Sequence, residues 1–336
     1  MRRLGKIFWV GLLGLVVTGM TLWGMGALYY SPLPTPLREG LAAAFGLATA
    51  GAFLGLAHRR RTLLGFVLVW AVLVGWWSTI TPSNDRDWQP DVAVLPSATV
   101  EGDRVTLHNI RNIAYRTATD FTPRYYDKTF DLRRLESVDL ISSYWAGEAI
   151  AHIFGSFGFG GQDYVAISAE IRKARGQDYS TLKGFFKQYI LFYVVADERD
   201  VIRLRTTYRQ PPEDVYVYHT RVPPAQARRL FLDYVRDINR RVTQPEFYNT
   251  LTTNCTTAIL FHARASGGIA RYNWKILLTG YAPDYAYEIG RLDTSMPFAD
   301  LKRLSHVNAR AQAAGDAPDF SQRIRAGLPM PPPDSK

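Results

Sequence analysis

The sequence of 336 residues predicts an α+β protein in which three transmembrane helices precede one mixed domain. Long uncharged apolar stretches occur before about residue 80, whereas short alternating segments and an amphipathic helix follow it. These later segments lack the regular strand–helix alternation of a parallel sheet, which favours α+β over α/β. We therefore divide the chain into a membrane region (1–80), an extracytoplasmic domain (81–308) and a tail (309–336). The tail is rich in alanine, proline and charged residues, a composition that predicts disorder.

Three apolar stretches are candidates for membrane-spanning helices, namely residues 7–29, 41–57 and 62–80. A helix needs about 20 apolar residues to cross a hydrocarbon core of about 30 Å. The second stretch is the shortest, and a re-entrant or interfacial segment is its alternative. Trp76 and Trp77, near the end of the third stretch, are typical of an aromatic belt at the membrane interface.

Positive charges predict how these helices are oriented. Arg2, Arg3 and Lys6 precede the first stretch, and a His-Arg-Arg-Arg cluster at 58–61 separates the second from the third. The positive-inside rule places both groups in the cytoplasm, so three crossings leave everything after residue 80 outside. A cleaved first stretch would leave the same domain outside, because two crossings from an outside start also end there. The sequence thus predicts a multi-pass protein of the cytoplasmic (inner) membrane with a periplasmic C-terminal domain.

Secondary structure in the domain is predicted from residue periodicity. Alternation and β-branched residues predict strands at residues 105–110, 131–142, 190–195, 201–207 and 215–219. Residues 224–241 predict an amphipathic helix, because Leu230, Val235 and Ile238 recur among its apolar positions while basic residues occupy the other side. The pattern contains no internal repeat.

The only cysteine of the chain, Cys255, lies where a helix is expected to begin. Thr253 and Asn254 are favourable N-cap residues, and the apolar run that follows stops at a double glycine. Such a position favours the thiolate, because unpaired backbone N–H groups and the helix dipole stabilise negative charge. The alternative is a small buried apolar residue, since free cysteine is often buried. A single cysteine also excludes an intrachain disulfide.

A glycine-rich stretch predicts a β-hairpin that brings a histidine and an acid together. Strands beginning at Ala151 and ending at Ile171 flank Gly160-Gly161-Gln162, which could form a three-residue loop. In that register the numbers of opposed residues sum to about 322, so His152 faces Glu170 on one side of the sheet. A loop of even length would break this pairing, and the sequence leaves both open. An acid that orients an imidazole beside a thiol is what a cysteine nucleophile needs.

The other histidines compete less well as partners of the thiol. His58 lies in the basic cytoplasmic cluster, and His262 would lie about 10 Å along the helix from Cys255. For His152 itself, the alternative is an ordinary half-buried strand histidine. One cysteine and scattered histidines lack the paired ligand spacing of a zinc site, so we expect no metal and no other cofactor. The net charge of +10 is dispersed, so we expect no nucleic-acid partner.

Several short motifs occur in order between residues 85 and 275. They are Asp85-Arg86-Asp87-Trp88, Arg111-Asn112 with Tyr115-Arg116, Tyr144-Trp145, Ala151-His152 with Ser156-Phe157-Gly158-Phe159, residues 196–200, Leu204-Arg205-Thr206, and residues 247–252 leading into Asn254-Cys255-Thr256-Thr257. Together these motifs resemble the DUF4105 family, which is also described as the N-terminal periplasmic domain of Lnb, a lipoprotein N-acyltransferase.

The resemblance implies a papain-like thiol fold in permuted, NlpC/P60-like order, with His152 as base preceding Cys255 as nucleophile. It also implies a thioester intermediate and a membrane lipid or lipoprotein substrate at the bacterial inner membrane. In the lipoprotein enzyme, the acyl chain moves from the glycerol of the lipid-modified cysteine to its N-terminal amine. That enzyme has its multi-span region after the domain, whereas three spans precede the domain here.

We therefore expect a cysteine-dependent acyltransferase or thiol hydrolase with Cys255, His152 and Glu170 as catalytic residues. The predicted substrate-binding residues are Tyr144, Trp145, Asn254 and Arg199. The two aromatic residues could line an apolar channel with Phe157 and Phe159, for which core packing is the alternative. Arg199 and Arg205 could bind a phosphate or carboxylate, for which surface salt bridges are the alternative.

Two other function classes stay open at this point. A cell-wall peptidase or amidase would use the same dyad and would need a polar, open groove. A lipid-directed enzyme would instead need an apolar opening. A non-catalytic, membrane-tethered binding domain would seal Cys255 in the core, beyond contact with His152.

Overall fold

A computed structural model describes residues 2–331 of the chain, with side chains from Leu4 onwards. The described residues form two compact units, of which the first comprises residues 2–83 and Ser180–Gln188 and the second Asn84–Tyr179 and residues 189–331. The first unit contains three helices: α1 (Arg2–Tyr29), α2 (Thr35–Gly55) and α3 (Arg59–Ser78). All three are long and apolar enough to cross a membrane. The second is a continuous helix of 21 residues, which favours a span over a re-entrant segment.

Large apolar side chains cover the outside of these helices. Leu47, Leu54 and Val72 are among those exposed on the unit. Contiguous apolar surface of this kind is unfavourable in water and favourable in hydrocarbon, which fits a membrane region. Between the helices, Trp23 packs against Trp70, whose indole N–H donates to the Met20 carbonyl at 3.1 Å.

The segment Ser180–Gln188 packs against the ends of α1 and α3 within this unit. Phe186 is buried against Ala27 and Trp77. A side chain at Gly26 would lie within 2.4 Å of the Phe186 ring, so only glycine allows this approach. Lys187 Nζ donates to the carbonyls of Trp77 and Ile80, where a cation offsets the negative end of the helix dipole.

The second unit is built on strands that occupy most of its first half. They are β1 (Ser97–Glu101), β2 (Arg104–Arg111), β3 (Ala114–Tyr115), β4 (Phe121–Thr122), β5 (Tyr125–Asp131), β6 (Leu135–Tyr144), β7 (Ala151–Phe159), β8 (Asp163–Arg172), β9 (Ile190–Ala196), β10 (Asp214–His219) and β11 (Glu246–Phe247). Its helices are α4 (Glu198–Arg203), α5 (Pro224–Thr243), α6 (Cys255–Ala265), α7 (Trp274–Leu277), α8 (Ala282–Glu288), α9 (Phe298–Ser305), α10 (Asn308–Ala314) and α11 (Phe320–Arg325).

Nine of the strands described in residues 2–331 form one sheet. Its main order is β1-β2-β9-β8-β7-β6-β10, with β5 paired to β2 and β11 paired to β9. Every pairing is antiparallel except the short parallel contact between β2 and β9. Together with the separate helices, this sheet confirms the predicted α+β class.

Helices cover both faces of the sheet. On one face, Phe231, Val235 and Ile238 of α5 pack in a core with Phe157 and Phe159 of β7. The other face carries a second core of residues from α4, α10 and α11. Alternate residues of β7 therefore enter opposite cores, which explains why almost the whole strand is buried.

One predicted strand is wrong. Residues 201–207 lie in α4 and in a π-helical turn, Leu204–Tyr208, and not in a strand. Asp197 caps α4 by accepting the Arg199 N–H, and Glu198 and Asp200 follow in the first turn. These helix-start features outweigh the alternation that favoured a strand.

The predicted disordered tail is also wrong for residues 309–331. Phe320 and Ile324 of α11 are fully buried, and the Arg325 guanidinium donates to Asp139 and Glu198. Composition did not reveal this order, because the buried acids that attract Arg325 lie far away in the sequence. Residues 332–336 of the predicted tail lie outside the described residues.

Candidate active site at Cys255

Cys255 is the first residue of α6, as predicted. Asn254 caps the helix, since its side-chain Oδ1 accepts the N–H groups of Thr256 at 3.0 Å and Thr257 at 2.9 Å. The Thr257 hydroxyl accepts the Asn254 N–H at 2.8 Å, which completes a reciprocal capping box. This double cap fixes the thiol at the positive end of the helix dipole.

The hairpin of β7 and β8 has the predicted register. Its pairs run from Phe159 opposite Asp163 to Gly155 opposite Ile167, around a loop with positive φ at Gly160 and Gly161. Farther along the strands, His152 Nε2 lies 2.9 Å from the Glu170 Oε1 atom. The predicted facing of histidine and acid is therefore confirmed.

Two further side chains hold the Glu170 carboxylate, and sequence reasoning assigned neither to it. The Ser168 hydroxyl donates to Glu170 Oε1 at 2.9 Å and lies 2.7 Å from His152 Nε2. Arg205 Nη2 donates to the same Oε1 atom at 3.1 Å. Ser168 could have been found, because residues two apart in a strand share a face. Arg205 could not, since its segment was predicted to be a strand.

The thiol of Cys255 and the imidazole of His152 line the same groove. The sulfur raises the pKa of His152, while His152 and the Ile153 backbone N–H lower the pKa of the thiol. The Thr256 hydroxyl lies 3.8 Å from the sulfur. Since Nε2 of His152 faces Ser168 and Glu170, Nδ1 is the ring nitrogen available to the thiol. Strands β7 and β8 thus supply His152 and Glu170, and helix α6 supplies Cys255, to one site.

The charges of this arrangement stabilise a thiolate–imidazolium pair. Burial opposes protonation of His152, but the Glu170 carboxylate and the Cys255 sulfur raise its pKa to about 9. Burial likewise opposes ionisation of Cys255, yet the His152 imidazolium and the Ile153 N–H lower the pKa of the thiol. Despite its burial, Glu170 has a pKa well below the usual range because of His152 and Arg205. These shifts favour the thiolate–imidazolium pair over the neutral pair, beside an ionised Glu170.

Cys255 and His152 open into a groove of about 620 Å³. Trp145 lines it with 47% of its surface exposed, together with Tyr248, Lys173 and Arg209. The walls are therefore aromatic in part and charged in part. This mixture combines features expected of a lipid-directed site and of a peptide-directed site.

Other predicted site residues lie elsewhere. Tyr144 is buried, and its hydroxyl donates to the Gly280 carbonyl at 2.7 Å, so it supports the core. Phe157 and Phe159 also belong to the core, which was their alternative interpretation. Arg199 donates to Asp197 and lines a separate cavity with Arg124 and Arg203. Tyr144, Phe157 and Phe159 therefore do not line the groove at Cys255, because alternation along their strands directs them into the core. The predicted role of Arg199 in binding a phosphate or carboxylate stays a prediction.

A metal centre has no support in the part of the chain that the structure describes. There, no three His, Cys, Asp or Glu side chains are grouped so that they could hold a metal ion. The arrangement at Cys255 has the side-chain types that nucleophilic catalysis needs: a thiol, an imidazole and an acid beside that imidazole.

Comparison with known proteins gives one match. Residues 121–283 match the family model described as the Lnb N-terminal periplasmic domain, and this range contains His152, Glu170 and Cys255. No curated protein and no solved structure matches the chain. The three apolar helices and this domain family fit a membrane-anchored periplasmic protein. The resemblance found in the sequence motifs is thus confirmed over residues 121–283, which match the model of the Lnb N-terminal periplasmic domain.

Proposed function

We propose that this protein is a membrane-anchored, cysteine-dependent acyltransferase or hydrolase that forms a thioester on Cys255. The observation that carries the proposal is the placement of Cys255 and His152 in one groove, with Glu170 2.9 Å from the imidazole. A thiolate at a helix start, paired with an oriented imidazolium, is an activated nucleophile. The non-catalytic alternative required Cys255 to be sealed in the core beyond contact with His152, whereas the two side chains line the same groove and each shifts the pKa of the other.

In the first half of the reaction, the Cys255 thiolate attacks the carbonyl carbon of an acyl ester or amide. A C–S bond forms, and the carbonyl electron pair moves to oxygen to give a tetrahedral oxyanion. The oxyanion collapses, the bond to the leaving alcohol or amine breaks, and His152 gives that group its proton. Glu170 stabilises the imidazolium before this transfer and holds the neutral tautomer after it.

In the second half, an amine or a water molecule attacks the thioester carbonyl. His152 now accepts the proton of the attacking group, and the C–S bond breaks to regenerate the thiolate. An amine gives acyl transfer and water gives hydrolysis. The charge of the resting pair is restored in both cases.

The oxyanion is best stabilised by the backbone N–H of Cys255 itself. Asn254 Oδ1 already accepts the N–H groups of Thr256 and Thr257. The cap therefore does not use the Cys255 N–H, and we assign this donor to the oxyanion. Removing one such donor typically costs about 10²–10³ in rate.

The substrate is proposed to carry an acyl chain from the membrane, as a phospholipid or a lipoprotein. Support comes from the three apolar helices, and from Lys6 and Arg59–Arg61, whose charges favour a cytoplasmic N-terminus and a periplasmic thiol domain. A peptidase or amidase is the second candidate. It is favoured by Lys173 and Arg209 at the groove, which suit a polar or anionic substrate.

Trapping the acyl-enzyme tests the proposal. The full chain in lipid nanodiscs would be incubated separately with phosphatidylethanolamine, a diacylated lipopeptide and a cell-wall peptide, then quenched in acid and analysed by mass spectrometry. We expect an acyl mass on the Cys255 peptide that hydroxylamine removes, and none in Cys255→Ala. An adduct from the peptide alone would establish the second candidate. A thiol that reacts with iodoacetamide only after unfolding would refute an enzyme of either kind.

A further inference from the structure

Arg205 lies in the π-helical turn Leu204–Tyr208, directly behind the acid that faces His152. Only 3% of its surface is exposed. Its Nη1 donates to the Val201 carbonyl at 2.8 Å, which fixes the guanidinium at its own helix. π-helical turns inside helices often occur at functional sites, since the extra residue redirects a side chain.

The Arg205 guanidinium lies between two carboxylates, the partly exposed Glu170 and the buried Glu213. Its Nη2 lies 3.1 Å from Glu170 Oε1, and its Nε lies 3.8 Å from Glu213 Oε2. Glu213 is held in turn by the hydroxyl of Ser143 and by Arg209. A buried cation held by carboxylates on two sides has little freedom to move.

An aromatic ring connects this cation to the catalytic histidine. The Arg205 guanidinium lies over the Phe154 ring, 5.2 Å from its centre. The imidazole of His152 stacks on Phe154 with ring centres 5.6 Å apart. Glu170 and Phe154 therefore each touch both Arg205 and His152.

We propose that Arg205 is a positioning residue of the thiol site, whose guanidinium holds the Glu170 carboxylate against Nε2 of His152. Arg205 acts through Glu170 and does not touch the reacting atoms. The inference rests on the proposed function, because it assigns how the imidazolium of the nucleophilic pair is held. The planar guanidinium of arginine suits this task better than the ammonium group of lysine, since its N–H donors have fixed directions and can orient the carboxylate.

Several titratable or charged groups surround the pair and bear on its pH dependence. Glu170 and Cys255 face His152 directly, and Arg205, Arg209 and Glu213 lie behind Glu170. Three more groups interact electrostatically with members of this set. Arg111 interacts with Arg205, Tyr248 interacts with Cys255 and Glu170, and Tyr234 interacts with Cys255. Burial raises the pKa of both tyrosines, which keeps them neutral through the range tested.

The test is the pH profile of Cys255 alkylation by iodoacetate, measured on the full chain in detergent micelles. The carboxylate of iodoacetate is attracted by the imidazolium, so the rate rises as the thiol ionises and falls as His152 loses its proton. The falling limb of the wild-type protein is expected near pH 9. It therefore reports how strongly Glu170 holds the imidazolium.

Charge and positioning predict opposite shifts for Arg205→Met. If Arg205 acted only as a distant cation, its removal would favour the imidazolium and move the falling limb to higher pH. If it positions Glu170, its removal moves the limb to lower pH. We expect a fall of about one pH unit, or tenfold in the protonation constant of His152. Arg205→Lys keeps the charge without the planar guanidinium and is expected to show a smaller fall.

Two further variants separate positioning from folding defects. Arg205→Met with Glu213→Gln removes both buried charges, and we expect the same fall. Arg203→Met is the matched control, because Arg203 precedes Arg205 by two residues but pairs with Asp316, and we expect the wild-type limb. A rise, or no shift, in folded Arg205→Met and in the double variant would overturn the positioning role. A wild-type thiol without a lowered pKa would instead refute the proposed function itself.

Discussion

Two histidines of this protein, the partly exposed His152 and the fully buried His262, lie beside carboxylates and yet have opposite properties. His152 Nε2 lies 2.9 Å from Glu170, and His262 Nδ1 lies 2.8 Å from Asp233. The pKa of His152 is raised to about 9, whereas the pKa of His262 is lowered. Burial opposes protonation of both rings, so burial does not explain the difference.

The neighbours of the second ring nitrogen explain it. His152 has the Cys255 sulfur as a further anionic partner, which adds to the effect of Glu170. Nε2 of His262 lies 2.6 Å from the Tyr193 hydroxyl and 3.9 Å from the Asp237 carboxylate, which also favours protonation, but burial and the cation of Arg241 together lower the pKa of His262. A histidine beside an acid is therefore not by itself a catalytic signature, because burial and a nearby cation can outweigh the acid.

Location separates the two histidines as well. Both belong to the surroundings of α6, but His152 lines the groove and His262 is fully buried against Tyr193 and Tyr234. The first is placed for proton transfer to a substrate. The second fixes the helix that carries Cys255. Removing them should therefore have different consequences.

His152→Ala is expected to cause the largest loss of activity. Removing the proton carrier typically costs about 10²–10⁴ in turnover. The thiol would also lose its imidazolium partner, so its alkylation rate at neutral pH would fall. The measurement is acyl-enzyme formation and iodoacetamide alkylation at pH 7, with thermal unfolding as the check on folding. Unchanged rates in a folded variant would remove His152 from the site.

His262→Ala is expected to reduce stability and not the reactivity of the thiol. It leaves Asp233 and Tyr193 without their buried partner and opens a cavity, which together cost about 3–4 kcal/mol. The free energy of unfolding in urea measures this loss. In the fraction that stays folded, the pH profile of Cys255 alkylation should match that of the wild-type protein. A shifted profile would show that the two histidine regions are coupled.

The pH dependence of stability sharpens the comparison. The raised pKa of His152 contributes stability that is complete below about pH 6.5 and lost as pH rises through about 9. The lowered pKa of Cys255 contributes stability that is complete above about pH 8.5 and lost as pH falls. The two contributions change in opposite directions below about pH 8.5 and so offset each other in part, whereas from about pH 8.5 to 9 the contribution of His152 declines alone, by up to about 1.4 kcal/mol per pH unit.

The measurement is the difference in free energy of unfolding between the wild-type protein and the double variant Cys255→Ala/His152→Gln, from pH 5 to 10. A neutral thiol and a neutral imidazole in the folded state would give no decline on the alkaline side. His262 provides the contrast. Its lowered pKa should cost stability as pH falls below about 6.5 and have no alkaline effect.

Local patterns in the sequence predicted the parts of the site that depend on local geometry. A three-residue glycine loop defines the register of β7 and β8, so the approach of His152 to Glu170 could be counted along the chain. The position of Cys255 followed from the capping preference of Asn254. The catalytic roles of these residues remain predictions.

Long-range pairing was not visible in the sequence. Arg205 meets Glu170 because a helix places it there, and the alternation of residues 201–207 suggested a strand. Arg325 orders the C-terminal helix through Asp139, which precedes it by 186 residues. Trp145 and Tyr144 are neighbours in sequence with similar chemistry, yet one lines the groove and the other the core. Tyr144 is the last residue of β6 and Trp145 follows it, so their different positions depend on where β6 ends. A single sequence does not mark the end of a strand exactly.

Asn254→Ala is expected to have the smallest effect on stability and to test the helix start itself. It removes the acceptor for the Thr256 and Thr257 N–H groups, which typically costs about 1 kcal/mol. The freed N–H groups would still favour the thiolate, so the rising limb of Cys255 alkylation should shift little while fraying of α6 increases. Hydrogen exchange of the first turn of α6 and the alkylation profile measure the two effects separately. Asn254→Asp keeps the acceptor but adds a negative charge beside the sulfur, so it should retain the cap and raise the pKa of Cys255. A thiol that is insensitive to this added charge would show that the imidazolium of His152, and not the helix start, determines its ionisation.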